Sequence, residues 1–166
     1  MVAISVKVAL LDRDGTIIKD YPDIKWANIK TPEFLKGSIE TLKHIKNKGF
    51  EIIIITNQYL IGEGIITLQD YKNFNNLFLK ILNQNGVSIL DIFYCPHARS
   101  KECDCMKPHP GLINQALHKY PDINLKESFY VGDSLCDMQL AKNFNLKFYG
   151  INIPCENKIN ALNKIL

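Results

Sequence analysis

The sequence of 166 residues lacks a long hydrophobic run, a strong excess of one charge and any internal repeat or low-complexity stretch. Apolar runs such as 52–55 have the length of a strand, far below the roughly 20 residues that cross a bilayer. A net charge of +3 is too small to indicate a nucleic-acid or membrane surface. The amino-terminal segment lacks the features of a secretion signal, so a cytoplasmic location is expected.

The composition is that of an ordinary globular protein, with 46% hydrophobic and 22% charged residues. This length falls within the usual range of one domain, and a chain of this size can bury a substantial core without the help of disulfide bonds or metal ions. We therefore expect a single domain over residues 1–166.

Segments that favour strands alternate with segments that favour helices along the chain. Strands are predicted at 6–11, 51–55, 89–94, 128–131 and 147–151, and helices at about 34–48, 67–85, 110–120 and 135–144. This alternation predicts an α/β fold, a three-layer, Rossmann-like doubly wound sheet that is mainly parallel. Polar clusters occur at the carboxyl ends of the predicted strands, where such sheets bind ligands.

Two aspartates, Asp12 and Asp14, follow the first predicted strand in the segment Leu-Asp-Arg-Asp-Gly-Thr at 11–16. In extended backbone both carboxylates can face one side while Arg13 faces away. A carboxylate nucleophile can form an aspartyl-phosphate, and a second carboxyl can protonate the leaving oxygen and later activate water. The pair predicts a two-step hydrolysis, with Asp12 as nucleophile and Asp14 as acid/base; the alternative is a simple Asp-Gly turn.

Further polar residues lie at or just beyond the later predicted strands. Thr56 can donate to a phosphate oxygen, and Lys107 can offset negative charge in the transition state. Asp133 can supply a Mg²⁺ ligand from a part of the sequence far from Asp12, and Asp137 could anchor the loop that carries Asp133. Each feature alone is typical of a turn, but their shared position at strand ends indicates one site.

Five cysteines are present, and three of them lie close to a histidine in one short segment. Cys95, His97, Cys103 and Cys105 offer the three thiolates and one imidazole that suit tetrahedral Zn²⁺. Because protein would fill all four positions, the ion would be structural. Hard carboxylates and soft sulfur ligands select different metals, so magnesium and zinc would have separate roles; the alternative is a loop without a metal.

Four segments resemble the four motifs of the haloacid dehalogenase superfamily of phosphatases, and the match covers nearly the whole chain. They are 11–16, Ile-Thr-Asn-Gln at 55–58, Lys-Pro at 107–108, and Gly-Asp-Ser at 132–134 with Asp137. Within the superfamily the sequence is similar to the branch containing heptose 1,7-bisphosphate phosphatase and histidinol-phosphate phosphatase. In that branch a Cys-x-His and Cys-x-Cys loop holds zinc and leads into the motif lysine.

The resemblance implies roles for individual residues. Asp12, the backbone carbonyl of Asp14 and Asp133 would hold Mg²⁺, while Thr56 and Lys107 would bind the transferred phosphoryl group. The implied substrate contacts are Asp20, Tyr21, Asn57, Gln58 and Ser134. The segment 17–33 is too short for the helical cap domain that many superfamily members insert there, so the site is expected to be capless and open.

These observations predict a monomeric phosphatase of a small phosphorylated metabolite, with no nucleic-acid or membrane partner. A sugar phosphate of the D-glycero-D-manno-heptose 1,7-bisphosphate type is favoured, and histidinol phosphate is the alternative. Two departures weaken the case for a bisphosphate: Met106 stands where the family usually has Arg, and Ser134 where heptose phosphatases tend to have Lys. A methionine cannot donate a pair of hydrogen bonds to a phosphate as arginine does.

Two hypotheses without catalysis are also compatible with the sequence. A phospho-acceptor signalling domain uses an aspartate, Mg²⁺, a threonine and a lysine on a doubly wound sheet, but it has no reason to place a general acid at Asp14. A zinc-stabilised module that binds nucleic acid or protein would not need the acidic motifs.

Overall fold

The computed structural model describes residues 5–165 and contains one six-stranded sheet. The strands are β1 (Val8–Leu11), β2 (Glu51–Asn57), β3 (Asp91–Cys95), β4 (Phe129–Gly132), β5 (Lys147–Ile151) and β6 (Asn157–Ile159). Neighbouring strands are all parallel, in the order β3-β2-β1-β4-β5-β6. The predicted α/β class is confirmed, whereas the single domain expected over 1–166 includes residues 1–4 and 166, which lie outside the described residues.

Helices cover both faces of the sheet. They are α1 (Ser38–Asn47), α2 (Tyr59–Gly62), α3 (Leu68–Gln84), α4 (Gly111–Lys119) and α5 (Leu135–Asn143), with 3₁₀ turns at Asp23–Asn28, Leu125–Glu127 and Leu162–Lys164. Residues of α1 and α3 pack in one core cluster, and residues of α4 and α5 pack in the other. Over residues 5–165, none of the helices is long and apolar enough to cross a membrane.

The isoleucine run of β2 supplies both cores. Ile52 and Ile54 belong to the core with α1 and α3, whereas Ile53 and Ile55 belong to the core with α4 and α5. Successive side chains of a strand point to opposite faces, so a strand covered on both sides needs an unbroken apolar sequence.

The strand order reverses between β1 and β4. From β1 the chain moves outward through β2 and β3, and it then returns to place β4 on the other side of β1. The loops after these two central strands therefore diverge and leave a crevice, which is where open α/β sheets bind ligands. Asp12 follows β1 and Asp133 follows β4, so the topology brings both aspartates to this crevice.

The predicted start of the first helix is wrong. We expected helical structure from about residue 34, but α1 begins at Ser38. Phe34 instead forms an antiparallel bridge with Ile18, and the Leu35 amide donates to the Ile17 carbonyl. Backbone pairing with the segment after β1 thus replaces helical hydrogen bonds there.

Two short elements were missed from the sequence, and the bounds of several strands shift by a few residues. The four-residue α2 is too short for periodicity to show, and β6 is a polar strand of three residues that is only partly buried. Both form because longer elements beside them supply the packing surface or the backbone partners.

Phe78 of α3 offers a test of the packing. Its side chain is fully buried and stacks on Phe34 with the ring centroids 5.6 Å apart. Replacing Phe78 with Ala removes this contact and leaves a cavity, so we expect the free energy of unfolding to fall by about 3–5 kcal/mol. Urea denaturation should show a lower midpoint with an unchanged slope. Lys80→Ala, at an exposed position of the same helix, is the control, and an equal loss there would contradict the assignment.

Candidate active site

Lys107 lies at the centre of a buried polar cluster at the carboxyl ends of the strands. Its Nζ donates to Asp12 Oδ1 at 2.9 Å, to Asp137 Oδ1 at 2.7 Å and to the backbone oxygen of Ile55 at 2.9 Å. The Tyr130 hydroxyl lies 3.5 Å from Nζ and donates to Asp137 Oδ1 at 2.9 Å. An ammonium group has three donors, and Asp12, Asp137 and the Ile55 carbonyl accept all three, so Lys107 is held beside Asp12.

Burial and like charge dominate the electrostatics of this cluster. Burial raises the pKa of Asp12 well above its usual range; Lys107 opposes the shift, and the carboxylates of Asp137, Asp133 and Asp14 add to it. Burial also raises the pKa of Asp133. For Lys107, burial acts to lower the pKa, but Asp12 and Asp137 outweigh it and the pKa rises. Carboxylates outnumber cations here, so a bound cation would stabilise the ionised aspartates.

The carboxylates fit a divalent metal ion. Ligand oxygens of Asp12, Asp133 and Asp137 lie within 4.8 Å of one another. Asp12 and Asp133 line the adjacent cavity, whereas Asp137 is fully buried. Asp137 uses Oδ1 to accept from Lys107 and Tyr130, and it uses Oδ2 to accept from the Ser134 hydroxyl at 2.6 Å. Asp12 and Asp133 therefore offer the available hard oxygen donors, the type that Mg²⁺ prefers, while Asp137 anchors the loop and Lys107.

Gly15 permits this arrangement. Its φ of +84° favours glycine, and a Cβ there would lie 2.1 Å from Asp133 Oδ2. A side chain at position 15 would therefore displace the carboxylate of Asp133 from the end of β1.

The polar cluster opens into a cavity of about 190 Å³. The residues that line it are Asp12, Asp14, Asp20, Trp26, Thr56, Asn57, Gln58, Tyr59, Leu60, Lys107, Asp133, Ser134 and Cys136. The structure thus brings the sequence-predicted catalytic and magnesium-binding residues together around one space. No sequence pattern pointed to Trp26, Tyr59, Leu60 or Cys136, because they carry no motif and reach the cavity only through the fold.

Arg13 is the main departure from the sequence-based geometry. It does not line the cavity, but it does not turn away from Asp14 either: Nε donates to Asp14 Oδ1 at 2.9 Å and Nη2 to Oδ2 at 3.0 Å. Gln58 Nε2 donates to the same Oδ2 at 2.8 Å. The carboxylate of Asp14 is therefore held from two directions.

The five residues suggested as substrate contacts differ in their freedom to reach a ligand. Asp20, Asn57, Gln58 and Ser134 line the cavity, but Tyr21 does not, and its hydroxyl donates to Glu33 at 2.8 Å. Asp20 Oδ1 accepts from the Trp26 indole at 3.1 Å. Gln58, besides its contact with Asp14, donates to Thr56 Oγ1 at 2.9 Å.

Both polar atoms of the Asn57 side-chain amide bind the backbone of Lys107. Its Oδ1 accepts from the Lys107 amide at 2.9 Å, and its Nδ2 donates to the Lys107 carbonyl at 3.3 Å. This reciprocal pair fixes the backbone from which the Lys107 side chain extends. Asn57 thus connects the end of β2 to the loop that carries the lysine.

The cysteine loop brings its four predicted ligands together. Cys95 Sγ lies 2.8 Å from Cys105 Sγ and 3.6 Å from Cys103 Sγ, and His97 Nδ1 lies 3.1 Å from Cys105 Sγ. All three cysteines are free thiols. Ligand atoms of the four residues lie within 4.8 Å of one another, a spacing that one tetrahedral ion can join. Burial raises the pKa of Cys95 and Cys105, so a cation would favour their thiolates.

Arg99 joins the cysteine loop to the rim of the cavity. Its guanidinium donates to Glu63 through Nε at 2.7 Å and to Asp23 through Nη2 at 3.0 Å, and it lies 4.2 Å from the centroid of the Tyr59 ring. The Tyr59 hydroxyl donates to Asp23 at 2.9 Å, and burial raises the pKa of Tyr59 to about 12. The loop also lies directly on α2, since a Cβ at Gly62 would be 2.2 Å from the Ala98 amide nitrogen.

Known proteins resemble this chain in sequence. The family model described as polynucleotide kinase 3 phosphatase matches residues 7–152. The D-glycero-alpha-D-manno-heptose-1,7-bisphosphate 7-phosphatase of Photorhabdus laumondii is 42% identical over 140 residues, which cover 80% of this chain and 75% of that protein. The histidine biosynthesis bifunctional protein HisB of Campylobacter jejuni is 32% identical over 144 residues, covering 86% of this chain and 41% of that protein.

The fold is similar to that of a solved heptose phosphatase. The crystal structure of D,D-heptose 1,7-bisphosphate phosphatase from B. bronchiseptica, complexed with magnesium and phosphate, matches with a TM-score of 0.83. The two chains are 25% identical, and the match covers 96% of each. The family model, the sequence relatives and the fold agree, and the chain belongs to the haloacid dehalogenase superfamily of phosphatases, in the heptose bisphosphate phosphatase branch.

Proposed function

We propose that this chain is a Mg²⁺-dependent phosphatase that hydrolyses a small sugar phosphate through an aspartyl-phosphate on Asp12. The observation that carries the proposal is the position of Asp12, which lines the same cavity as Asp14 and Thr56 and lies 2.9 Å from Lys107 Nζ. A nucleophile, an acid/base and two phosphoryl-binding groups thus surround one space.

The proposed reaction has two steps, and Asp12 and Asp14 account for the bonds and the protons that move in each. In the first, a carboxylate oxygen of Asp12 attacks phosphorus, the bond to the leaving oxygen breaks, and Asp14 gives that oxygen a proton. In the second, water attacks the phosphorus of the aspartyl-phosphate, Asp14 takes a proton from the water, and the bond to Asp12 breaks. Thr56 donates to a phosphoryl oxygen, and the positive charge of Lys107, held beside Asp12, offsets the negative charge of the transferred phosphoryl group.

Asp12, Asp133 and the backbone carbonyl of Asp14 would hold Mg²⁺, which neutralises charge on the phosphoryl group when bound. The excess of carboxylates over cations in the cluster supports this requirement. A metal-bound solved relative, the B. bronchiseptica enzyme, supports the same ion.

The favoured substrate is a heptose bisphosphate that loses its 7-phosphate, as the names of the relatives indicate for those proteins. The lining supports a hydroxylated substrate, because Asp20 and Ser134 offer hydrogen-bonding groups and Trp26 and Tyr59 offer apolar ring faces. Histidinol phosphate is the alternative.

Zinc held by Cys95, His97, Cys103 and Cys105 would be structural. It would order the loop between β3 and Lys107, and the contacts of Asn57 and Arg99 would transmit that order to the lysine and to the cavity rim. The free thiols also fit a reducing compartment, which supports the proposed cytoplasmic location. We further propose that the chain acts as a monomeric single domain.

Replacing Asp12 with Asn tests the proposed nucleophile. The amide cannot form a stable aspartyl-phosphate, so Mg²⁺-dependent phosphate release should fall at least about 1,000-fold. Asp122→Asn, at an exposed position, is the matched control and should retain activity. Turnover by the Asp12 variant at the rate of the control would exclude the mechanism.

The lifetime of the phosphorylated state separates an enzyme from a signalling domain. We expect steady release of phosphate by the unmodified chain, with the intermediate turning over many times a minute. An aspartyl-phosphate that persists for minutes without phosphate release would favour the phospho-acceptor alternative.

A substrate panel tests the choice of sugar. With Mg²⁺ present, kcat/KM for one anomer of D-glycero-D-manno-heptose 1,7-bisphosphate should exceed that for histidinol phosphate at least about tenfold, or about 1.4 kcal/mol in transition-state stabilisation. Phosphate release measured for both anomers, histidinol phosphate and common hexose phosphates decides the matter. A reversed ratio would assign the chain to the histidinol-phosphate enzymes.

Cys103→Ser tests the zinc site. The purified chain should contain about one zinc per molecule, and the variant should contain much less, because a hydroxyl is a poor ligand for this ion. Its melting temperature should fall by about 2–4 °C for each kcal/mol of lost stability. Cys155→Ser, outside the cluster, is the control. Equal metal content in both variants, measured by atomic emission, would refute the site.

A further inference from the structure

Arg13 is a buried charge that the proposed mechanism does not use. The residue is 2% exposed, and its guanidinium carbon lies 5.6 Å and 5.0 Å from the ring centroids of Tyr71 and Phe74 in α3. Taking a charge out of water is costly unless it is paired and hydrogen-bonded. The contacts that compensate this cost show what the residue does.

The guanidinium is fixed on both sides. Its Nε and Nη2 form a two-bond fork on the carboxylate of Asp14, while Nη1 donates to Asn75 Oδ1 at 2.9 Å. Asn75 in turn donates through Nδ2 to the Tyr71 hydroxyl at 3.1 Å. Helix α3 thus sets the plane of the guanidinium, and the guanidinium sets the plane of the carboxylate.

This ion pair does little to hold the fold together. Residues 13 and 14 are already joined by a peptide bond, so their pairing closes no loop and brings no distant segments together. What the pair does restrict is the rotation of the Asp14 side chain. Asp14 lines the cavity and Arg13 does not, so the arginine can act on a substrate only through the aspartate.

We propose that Arg13 is a positioning residue that holds the carboxylate of Asp14 in place for its two proton transfers, an inference that rests on the function proposed above. Gln58 Nε2 also donates to Asp14 Oδ2 at 2.8 Å, the oxygen that accepts from Arg13 Nη2, and it donates to Thr56 Oγ1 as well. Loss of Arg13 would leave the Gln58 contact to hold the Asp14 side chain, which would then rotate more readily, and both the protonation of the leaving oxygen and the activation of water would slow.

The two proton transfers can be separated by the choice of substrate. A sugar alkoxide is a poor leaving group and needs the proton from Asp14, whereas 4-nitrophenolate leaves without it. Hydrolysis of the aspartyl-phosphate needs Asp14 with either substrate. A defect in Asp14 therefore makes the phosphorylated chain accumulate with 4-nitrophenyl phosphate, which a general loss of structure would not do.

Arg13→Met is the decisive variant. With the sugar phosphate we expect kcat to fall at least about tenfold while KM changes little, since Arg13 does not touch the cavity. With 4-nitrophenyl phosphate, rapid-quench measurements should show a burst approaching one nitrophenolate per chain and an equal amount of acid-stable phosphorylated protein. Arg13→Lys keeps the charge without the fork and should show a smaller burst.

Asn75→Ala removes only the outer anchor of the guanidinium and should shift the same quantities in the same direction. It decides the question if Arg13→Met fails to fold. Lys72→Met, on an exposed turn of α3, removes a positive charge elsewhere and should behave like the unmodified chain.

Unchanged kcat, or a fall in kcat without a burst in the folded variants, would overturn the role of Arg13. The proposed function fails separately: an unmodified chain that releases no phosphate and forms no phosphorylated protein would refute the phosphatase itself.

Discussion

The contact of the Lys107 ammonium with the carboxylates of Asp12 and Asp137 is the interaction on which the site depends. It joins the end of β1, the loop before α4 and the first turn of α5 at one buried nitrogen. Removing one partner from such a group would leave an uncompensated buried charge, which is a severe penalty. The arrangement proposed to bind a phosphoryl group therefore also holds three segments of the chain in register.

Further contacts place this nitrogen by fixing the backbone that carries it. The amide of Asn57 binds both backbone groups of Lys107, and the cysteine loop immediately before it docks on α2 and through Arg99 on the rim. Arg13, which Asn75 of α3 fixes, orients Asp14 in a similar way. Lys107 and Asp14 lie on loops, but contacts with β2 and, through Arg13, with α3 hold them in place.

Much of this could be predicted because local sequence determines it. The apolar strands, the polar residues at their ends and the spacing of Cys95, His97, Cys103 and Cys105 are all visible without a structure. In an open parallel sheet the topology then brings the strand ends to a common crevice, so Asp12 and Asp133 could be placed near each other despite their separation in the chain.

The remainder depends on side-chain directions that only the packed molecule fixes. Alternation in an extended strand suggested that Arg13 turns away from Asp14, yet the aromatic rings of α3 and the Asn75 side chain hold its guanidinium on that carboxylate. Likewise, a likeness to known enzymes assigned Asn57 to the substrate, whereas its amide binds the Lys107 backbone. Trp26 and Tyr59 carry no motif at all.

The isoleucines of β2 have one further consequence. Both faces of this strand are covered by apolar side chains, so a slip of one residue along β1 would exchange the two faces without exposing any isoleucine to water. Hydrophobic burial therefore does not choose between these alignments. The slipped alignment would instead carry Thr56 and Asn57 away from Lys107 and leave buried polar groups without partners. The polar residues at the end of β2 that line the proposed active site are thus also those that make the strand pair in a single way.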